Sequence, residues 1–169
     1  AVAAAPAAAR SRHTATLMAD GTVVLTGGEN DAAYASADRY DPATGQWSAF
    51  GRLGVDHARH TATLLSGGQL LLVGGVGRRG GVETRCERLE PAGSGWGQAA
   101  DMESPRQRHT ATVLVDGRVL AVGGEGLSGQ LAIAAELYDP STGTWRRTAG
   151  TNLRRNIHTA TLMADGRVL

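Results

Sequence analysis

The sequence predicts an all-β protein: a β-propeller of four-stranded antiparallel blades, with about three and a half blades in its 169 residues. Three observations carry that expectation. The string His-Thr-Ala-Thr recurs at His13, His60, His109 and His158, at spacings of 47, 49 and 49. A Gly-Gly pair stands 14 residues after each of the first three, at Gly27-Gly28, Gly74-Gly75 and Gly123-Gly124. A turn proline recurs at Pro42, Pro91 and Pro140 and a tryptophan at Trp47, Trp96 and Trp145, both at a spacing of 49. A period of this length marks a repeat architecture, in which each unit buries its apolar face against its neighbours.

The elements follow in order along one unit. Residues 14–18 and 22–26 are short β-branched and apolar runs separated by Asp20-Gly21, a pair suited to a two-residue hairpin turn. The same hairpin is expected around Asp116-Gly117 and Asp165-Gly166, with Ser66-Gly67-Gly68 as a looser version. The Gly pair ends the second strand, where positive φ or close backbone approach excludes a Cβ. A variable loop follows, then a third strand ending in Tyr40-Asp41, Leu89-Glu90 or Tyr138-Asp139, a turn, and a fourth strand carrying the Trp. Each Trp can bury ~150–250 Å², worth at most ~4–6 kcal/mol, and so can anchor one blade on the next.

A Gly doublet ending the second strand, followed by Tyr-Asp-Pro and Trp in fixed order, resembles the kelch repeat, and the resemblance covers essentially the whole chain. It divides the sequence into the end of a preceding blade (1–12), three blades (13–59, 60–108 and 109–157) and the first strands of an incomplete fourth (158–169). The middle unit departs from the pattern. Leu89 replaces Tyr and Gly93-Ser94-Gly95 alters the turn, so blade two is expected to be the loosest.

Composition narrows the function. Seventeen basic residues, all Arg, against 16 acids give a net charge of +1, without the excess that a nucleic-acid partner requires. Aromatics make up only 4% of the sequence and every tryptophan belongs to the repeat, so no spare base-stacking platform is visible. No apolar run approaches about 18 residues, so no membrane insertion is expected. Cys86 is the only cysteine, so no intrachain disulfide can form, and it stands where Ala37 and Ala135 stand in the other units, as a small buried hydrophobe. The start, Ala1-Val2-Ala3-Ala4-Ala5-Pro6, has neither an initiator Met nor the charged region of an intact signal peptide.

Repetition itself separates fold from function, because a residue found in every unit serves the blade. Asp38, Glu87 and Glu136 share one repeat position and are expected to pair with Arg or with backbone amides between blades. His13, His60, His109 and His158 stand one per blade, too far apart to converge on an ion, and read as histidines bonding backbone carbonyls. His57, unique to its unit, reads as a solvated loop residue. No catalytic residues, metal or cofactor are assigned, and motifs such as Gly-x-Ser-x-Gly, His-Glu-x-x-His and a Walker loop are missing from the sequence.

The candidate ligand-binding residues lie at the entry to each first strand, which in kelch proteins lines one mouth of the central channel. Arg12, Arg59 and Arg108 occupy one repeat position there and suggest a positive arc for an anionic ligand, since guanidinium groups bind carboxylate or sulfate bidentately. Blade four carries Ile157 instead, with Arg155 as the nearest substitute, and Arg78 and Arg79 extend the arc from the loop above. The alternative role for these arginines is pairing with Asp38, Glu87 and Glu136.

The leading functional reading is a non-enzymatic protein-interaction or structural module of a secreted or cell-surface bacterial protein, binding through the loop face. The second, by resemblance to sialic-acid-handling kelch proteins, is an anionic carbohydrate binder or carbohydrate-active protein. The third is a copper oxidase resembling galactose oxidase, but Tyr40 and Tyr138 sit at the repeat Tyr position and the Tyr-His dipeptide is lacking. Propellers close with four to eight blades, so further strands are expected from a longer chain or another subunit. A head-to-tail pair would come near seven periods, yet its junction would lack the 25 residues equivalent to Ala121 through Trp145.

Overall fold

The computed structural model describes residues 5–90, 95–132 and 134–169. Pro91, Gly93 and Ser94 of the blade-two turn, and Ala1 through Ala4, lie outside the described residues. Three four-stranded antiparallel sheets follow one another along the chain in a propeller-like arrangement. The first comprises β1 (Thr14–Leu17), β2 (Val23–Thr26), β5 (Ser36–Asp41) and β6 (Gln46–Arg52). A two-stranded excursion, β3 (Glu29–Asn30) with β4 (Ala32–Ala33), interrupts it. The second comprises β7 (Thr61–Leu64), β8 (Leu70–Val73), β9 (Cys86–Leu89) and β10 (Trp96–Gln98). The third comprises β11 (Thr110–Val113), β12 (Val119–Val122), β13 (Ala135–Asp139) and β14 (Thr144–Thr148).

The middle sheet is buried on both faces, which explains its unbroken Leu-Leu-Leu-Val second strand. Successive side chains of a strand point to opposite faces. Leu70 and Leu72 therefore join Val24, Ala35, Leu53 and Leu89 in the core between the first two sheets. Leu71 and Val73 join Cys86, Met102, Val119, Ala121 and Tyr138 between the second and third. The tryptophans tie each sheet to the one before it, as anticipated: Trp96 Nε1 donates to Phe50 O at 3.3 Å and Trp145 Nε1 to Ala100 O at 3.0 Å. The middle sheet has the shortest outer ladder, with three residue pairs between β9 and β10 against five in the other two.

The tight turns are longer than the two-residue hairpin expected. Met18 N–H donates to Thr22 O and Gly21 N–H to Met18 O, with Gly21 at φ +82°. Asp20 Oδ1 accepts from the Thr22 N–H and hydroxyl at 3.0 and 2.6 Å. The same backbone pattern recurs at Leu65, Leu114 and Met163. The chain therefore turns through a glycine in the left-handed region, which lets the strands meet one residue further out.

Candidate functional site: the arginine mouth

The Gly doublets fix how the sheets meet. A Cβ on Gly74 would lie 2.4 Å from Arg106 O and one on Gly27 2.1 Å from His57 O, so side chains there would collide with the incoming segment of the next sheet. That close approach lets the second glycine bond across the joint: Gly28 N–H donates to His57 O, Gly75 to Arg106 O and Gly124 to Arg155 O. Two residues further on, Arg12, Arg59, Arg108 and Ile157 all adopt φ between +50° and +57°. The left-handed conformation costs a non-glycine residue about 1–2 kcal/mol. Here it aligns a ladder across the joints, with Arg59 N–H on Arg12 O at 3.0 Å, Arg108 N–H on Arg59 O at 3.1 Å and Ile157 N–H on Arg108 O at 3.1 Å. Arg and Ile give no sign of positive φ, so sequence reasoning missed this feature.

The three arginines line one open cavity of about 600 Å³ together with His13, His60, His109, Ile157 and His158. Their partners are not the strand acids but residues of the entry segments and of the loops after the doublets. Glu29 is shared by Arg12 and by Arg59, the latter at 3.2 Å. Arg108 meets Glu125 at 2.8 Å, and Asn156 donates to the other Glu125 oxygen at 3.0 Å. Blade two has Val76 where the others have Glu29 and Glu125, so among the described residues the three guanidinium groups form ion pairs with two carboxylates, neither of them from the blade-two loop. Arg59 there makes two long contacts, to Glu29 and, at 3.2 Å, to Gln107 Oε1, and its Nε is buried with no partner among the described residues.

The strand acids are bound one layer below, by a different set of bases. Arg10 meets Asp38 at 2.6 Å and Arg106 meets Glu136 at 2.7 Å. Arg106 also donates to Gly123 O and Ala134 O, and Glu136 accepts the Glu103 and Ser104 N–H groups. In blade two the same place is taken by His57, which corrects its reading as a solvated residue. It is fully buried, with Nδ1 2.8 Å from Gly74 O and Nε2 3.1 Å from Glu87 Oε1. Glu87 also accepts from Gly54 and Val55 N–H, and these bonds hold its carboxyl below the usual range despite burial. His57 occupies the repeat position of Arg10, Arg106 and Arg155, and that equivalence was the available signal.

The repeat histidines bond threonine hydroxyls of the preceding sheet rather than backbone carbonyls. His60 Nε2 lies 3.1 Å from the Thr14 and Thr26 hydroxyls, His109 Nε2 3.0 Å from Thr61 and His158 Nε2 3.1 Å from Thr110. Burial pushes His60 well below its ordinary range and, with the nearby Arg106 and His158 charges, lowers His109 to about 3. These side chains are neutral crosslinks. Among the described residues, no three His, Cys, Asp or Glu side chains converge as a metal site would require.

Of the remaining candidates, Arg155 lines a separate cavity at the edge of the third sheet. Arg78 and Arg79 are exposed in the loop after Val76 and are not among the residues lining the mouth. Cys86 is fully buried, and burial pushes its thiol up to about 12.

No protein-family model matches the chain, and no curated protein matches its sequence. Among solved structures, that of YjhT superposes with a TM-score of 0.76 at 14% identity. The match covers 89% of this chain and 55% of that one, so this chain spans about half the length of its structural neighbour. The likeness concerns the fold, and with three four-stranded antiparallel sheets it fits a kelch-type, propeller-like architecture.

Proposed function

We propose that the chain is a non-enzymatic binding module, about three and a half blades of a kelch propeller, that engages the acidic surface of a protein partner through its arginine mouth. The observation that carries this reading is the pairing in the mouth: Arg12, Arg59 and Arg108 share two carboxylates, and Arg59 keeps a buried Nε that has no acceptor among the described residues. Guanidinium groups held by a fixed backbone ladder need little reordering to accept a carboxylate. The side chains that elsewhere perform chemistry are committed to the fold. Cys86 is buried with a raised thiol, the histidines crosslink sheets, and the strand acids hold buried bases. Arg78 and Arg79 supply further positive charge at the loop tips, where a large partner reaches them. A secreted or cell-surface location fits such a role.

A second reading, an anionic carbohydrate as ligand, rests on the same excess of guanidinium groups, since sulfate and carboxylate present similar acceptor geometry. Arrays of acidic peptides and of sulfated and carboxylated glycans, probed with the wild-type chain and Arg59→Glu, test both. The module reading expects peptide signals that Arg59→Glu abolishes. Glycan signals alone, lost in the same variant, would establish the second reading. Signals indifferent to Arg59→Glu would overturn both.

A further inference from the structure

One of the three complete sheets is pinned by a base that can lose its proton. In each blade the acid of the third strand meets the base of the entry segment, Arg10 opposite Asp38, Arg106 opposite Glu136 and His57 opposite Glu87. A guanidinium group stays charged throughout the range in which proteins fold, whereas imidazole titrates near neutral pH. Blade two thus has a titratable group where the other blades have a fixed charge.

His57 is fully buried and both of its ring nitrogens face acceptors. Nδ1 lies 2.8 Å from Gly74 O and Nε2 3.1 Å from Glu87 Oε1. A carbonyl cannot donate, so Nδ1 carries a proton. Neutral imidazole has a single N–H, so in that form Nε2 would turn its lone pair towards the carboxylate. Glu87 is already an acceptor on both oxygens, from Gly54 N–H at 2.7 Å and Val55 N–H at 2.9 Å. Burial opposes its ionisation, yet the bonds from His57, Gly54 and Val55 hold the carboxyl below its usual range. The proton between Nε2 and Oε1 therefore belongs to the imidazole.

The surroundings leave that proton to this pair. From the first sheet His57 meets backbone, its N–H donating to Tyr34 O and its carbonyl accepting from Gly28 N–H, while the Tyr34 ring lies over Arg10. On its own segment the His60 ring stands 5.6 Å away between centroids, kept neutral by burial. Arg106 sends its carbonyl to Gly75 and its guanidinium to Glu136. Cys86, next to Glu87 along the strand, keeps its proton because burial pushes its thiol up to about 12.

We propose that His57 is held as an imidazolium and acts as a proton-dependent latch between the first and second sheets, one that pins the entry segment carrying Arg59 to the mouth. Through His57 O that segment binds Gly28, and two residues later it joins the ladder, with Arg59 N–H on Arg12 O at 3.0 Å. Without the second ring proton a lone pair faces a buried carboxylate, and Glu87 loses the one side-chain partner it has among the described residues. The latch concerns the joint, so it can fail without the binding role of the mouth failing, and the reverse.

A base that keeps its proton in the folded chain contributes stability that is complete below the ordinary imidazole range and is lost as the pH rises above it. His60 and His109, neutral when folded, act in the opposite sense and chiefly below about pH 6.5, and Cys86 adds a loss only near and above about pH 8.5. The interval from pH 7 to pH 8 therefore isolates His57. Urea unfolding there compares the wild-type chain with His57→Arg, which installs the base of the other blades and keeps every other titrating group. Relative to that variant, the wild-type ratio of folded to unfolded chain should fall roughly eightfold from pH 7 to pH 8. Equal pH dependence in the two would overturn the proposal. Over the same interval, exchange of the Gly28 amide, bonded to His57 O, should gain on that of the Gly75 amide, bonded to Arg106 O, and a constant ratio would overturn the latch. If His57→Arg fails to fold, two-bond proton–nitrogen spectra of the wild-type chain at neutral pH decide the matter. They should show protons on both ring nitrogens of His57 and on one each of His60 and His109, and a single ring proton on His57 would overturn the proposal.

Discussion

Replacing Arg106 by Met isolates the buried base on which the joint between the second and third sheets depends. Neither Arg106 nor Glu136 has an exposed side chain, and their contact is 2.7 Å. Met keeps most of the aliphatic volume while deleting the bonds to Gly123 O (2.9 Å), Ala134 O (3.2 Å) and the Glu136 carboxylate. Glu136 would remain buried with only the Glu103 and Ser104 N–H groups for compensation. Breaking a buried pair on one side costs about 3–5 kcal/mol, because the surviving charge lacks both water and partner. Adding Glu136→Gln removes that charge but leaves an amide oxygen for only one of the two N–H groups, which bind different carboxylate oxygens, so the double variant should recover part of the penalty, roughly 1–3 kcal/mol. The assay is urea unfolding followed by tryptophan fluorescence, with Arg108→Ala as the comparison. That half-exposed arginine should cost about 1 kcal/mol or less. An Arg106→Met penalty below about 1 kcal/mol, or a double variant costing the sum of its parts, would refute the reasoning.

Three further outcomes follow from the same joints. Gly74→Ala, at φ +58° with its Cβ 2.4 Å from Arg106 O, should destabilise well beyond Gly80→Ala, whose φ is +77° but whose Cβ meets nothing within 4 Å. The Gly80 variant should cost only about 1–2 kcal/mol in the same unfolding assay, and equal penalties would deny the close approach. The Cys86 thiol, buried and raised to about 12, should resist a thiol-reactive disulfide reagent at pH 8 in the native protein and react at the unfolding rate in urea. His60 and His109 are held neutral when folded, so the unfolded chain binds more protons below pH 6.5 and stability falls as the pH falls. Between pH 6.5 and 5 each should contribute a slope that grows from about 0.7 to about 1.4 kcal/mol per pH unit as the unfolded imidazole becomes fully protonated. His109→Asn should remove about half of that slope, and a flat profile in the wild type would contradict the burial argument.

The repeat made the sheets legible because strand, turn and Trp positions are set by local chemistry that recurs. What it left hidden was set by contacts between units. The turn at Asp20-Gly21 contains the glycine expected, yet the extra residue depends on the Met18–Thr22 bond, which no residue type announces. Arg12, Arg59 and Arg108 were legible as a group, but their left-handed backbone is imposed by the ladder between sheets. His57 was misread because it was compared with the other histidines. Placed beside Arg10, Arg106 and Arg155 it becomes the base of its blade, and the acids Asp38, Glu87 and Glu136 then find their partners. Two arginine sets two residues apart, one buried beneath the acids and one at the mouth, look alike in sequence and differ in burial.

That division between joint and mouth is the central claim, and calorimetric titration of an oligoglutamate peptide into the chain and its Arg59→Ala/Arg108→Ala variant tests it most directly. The account predicts saturable binding to the wild-type chain, weakened at least roughly tenfold in the variant, with melting temperatures within about 8 °C because each of these two partly exposed pairs contributes about 1 kcal/mol or less. A variant that binds as well as the wild type, or one that loses its fold along with its binding, would contradict it.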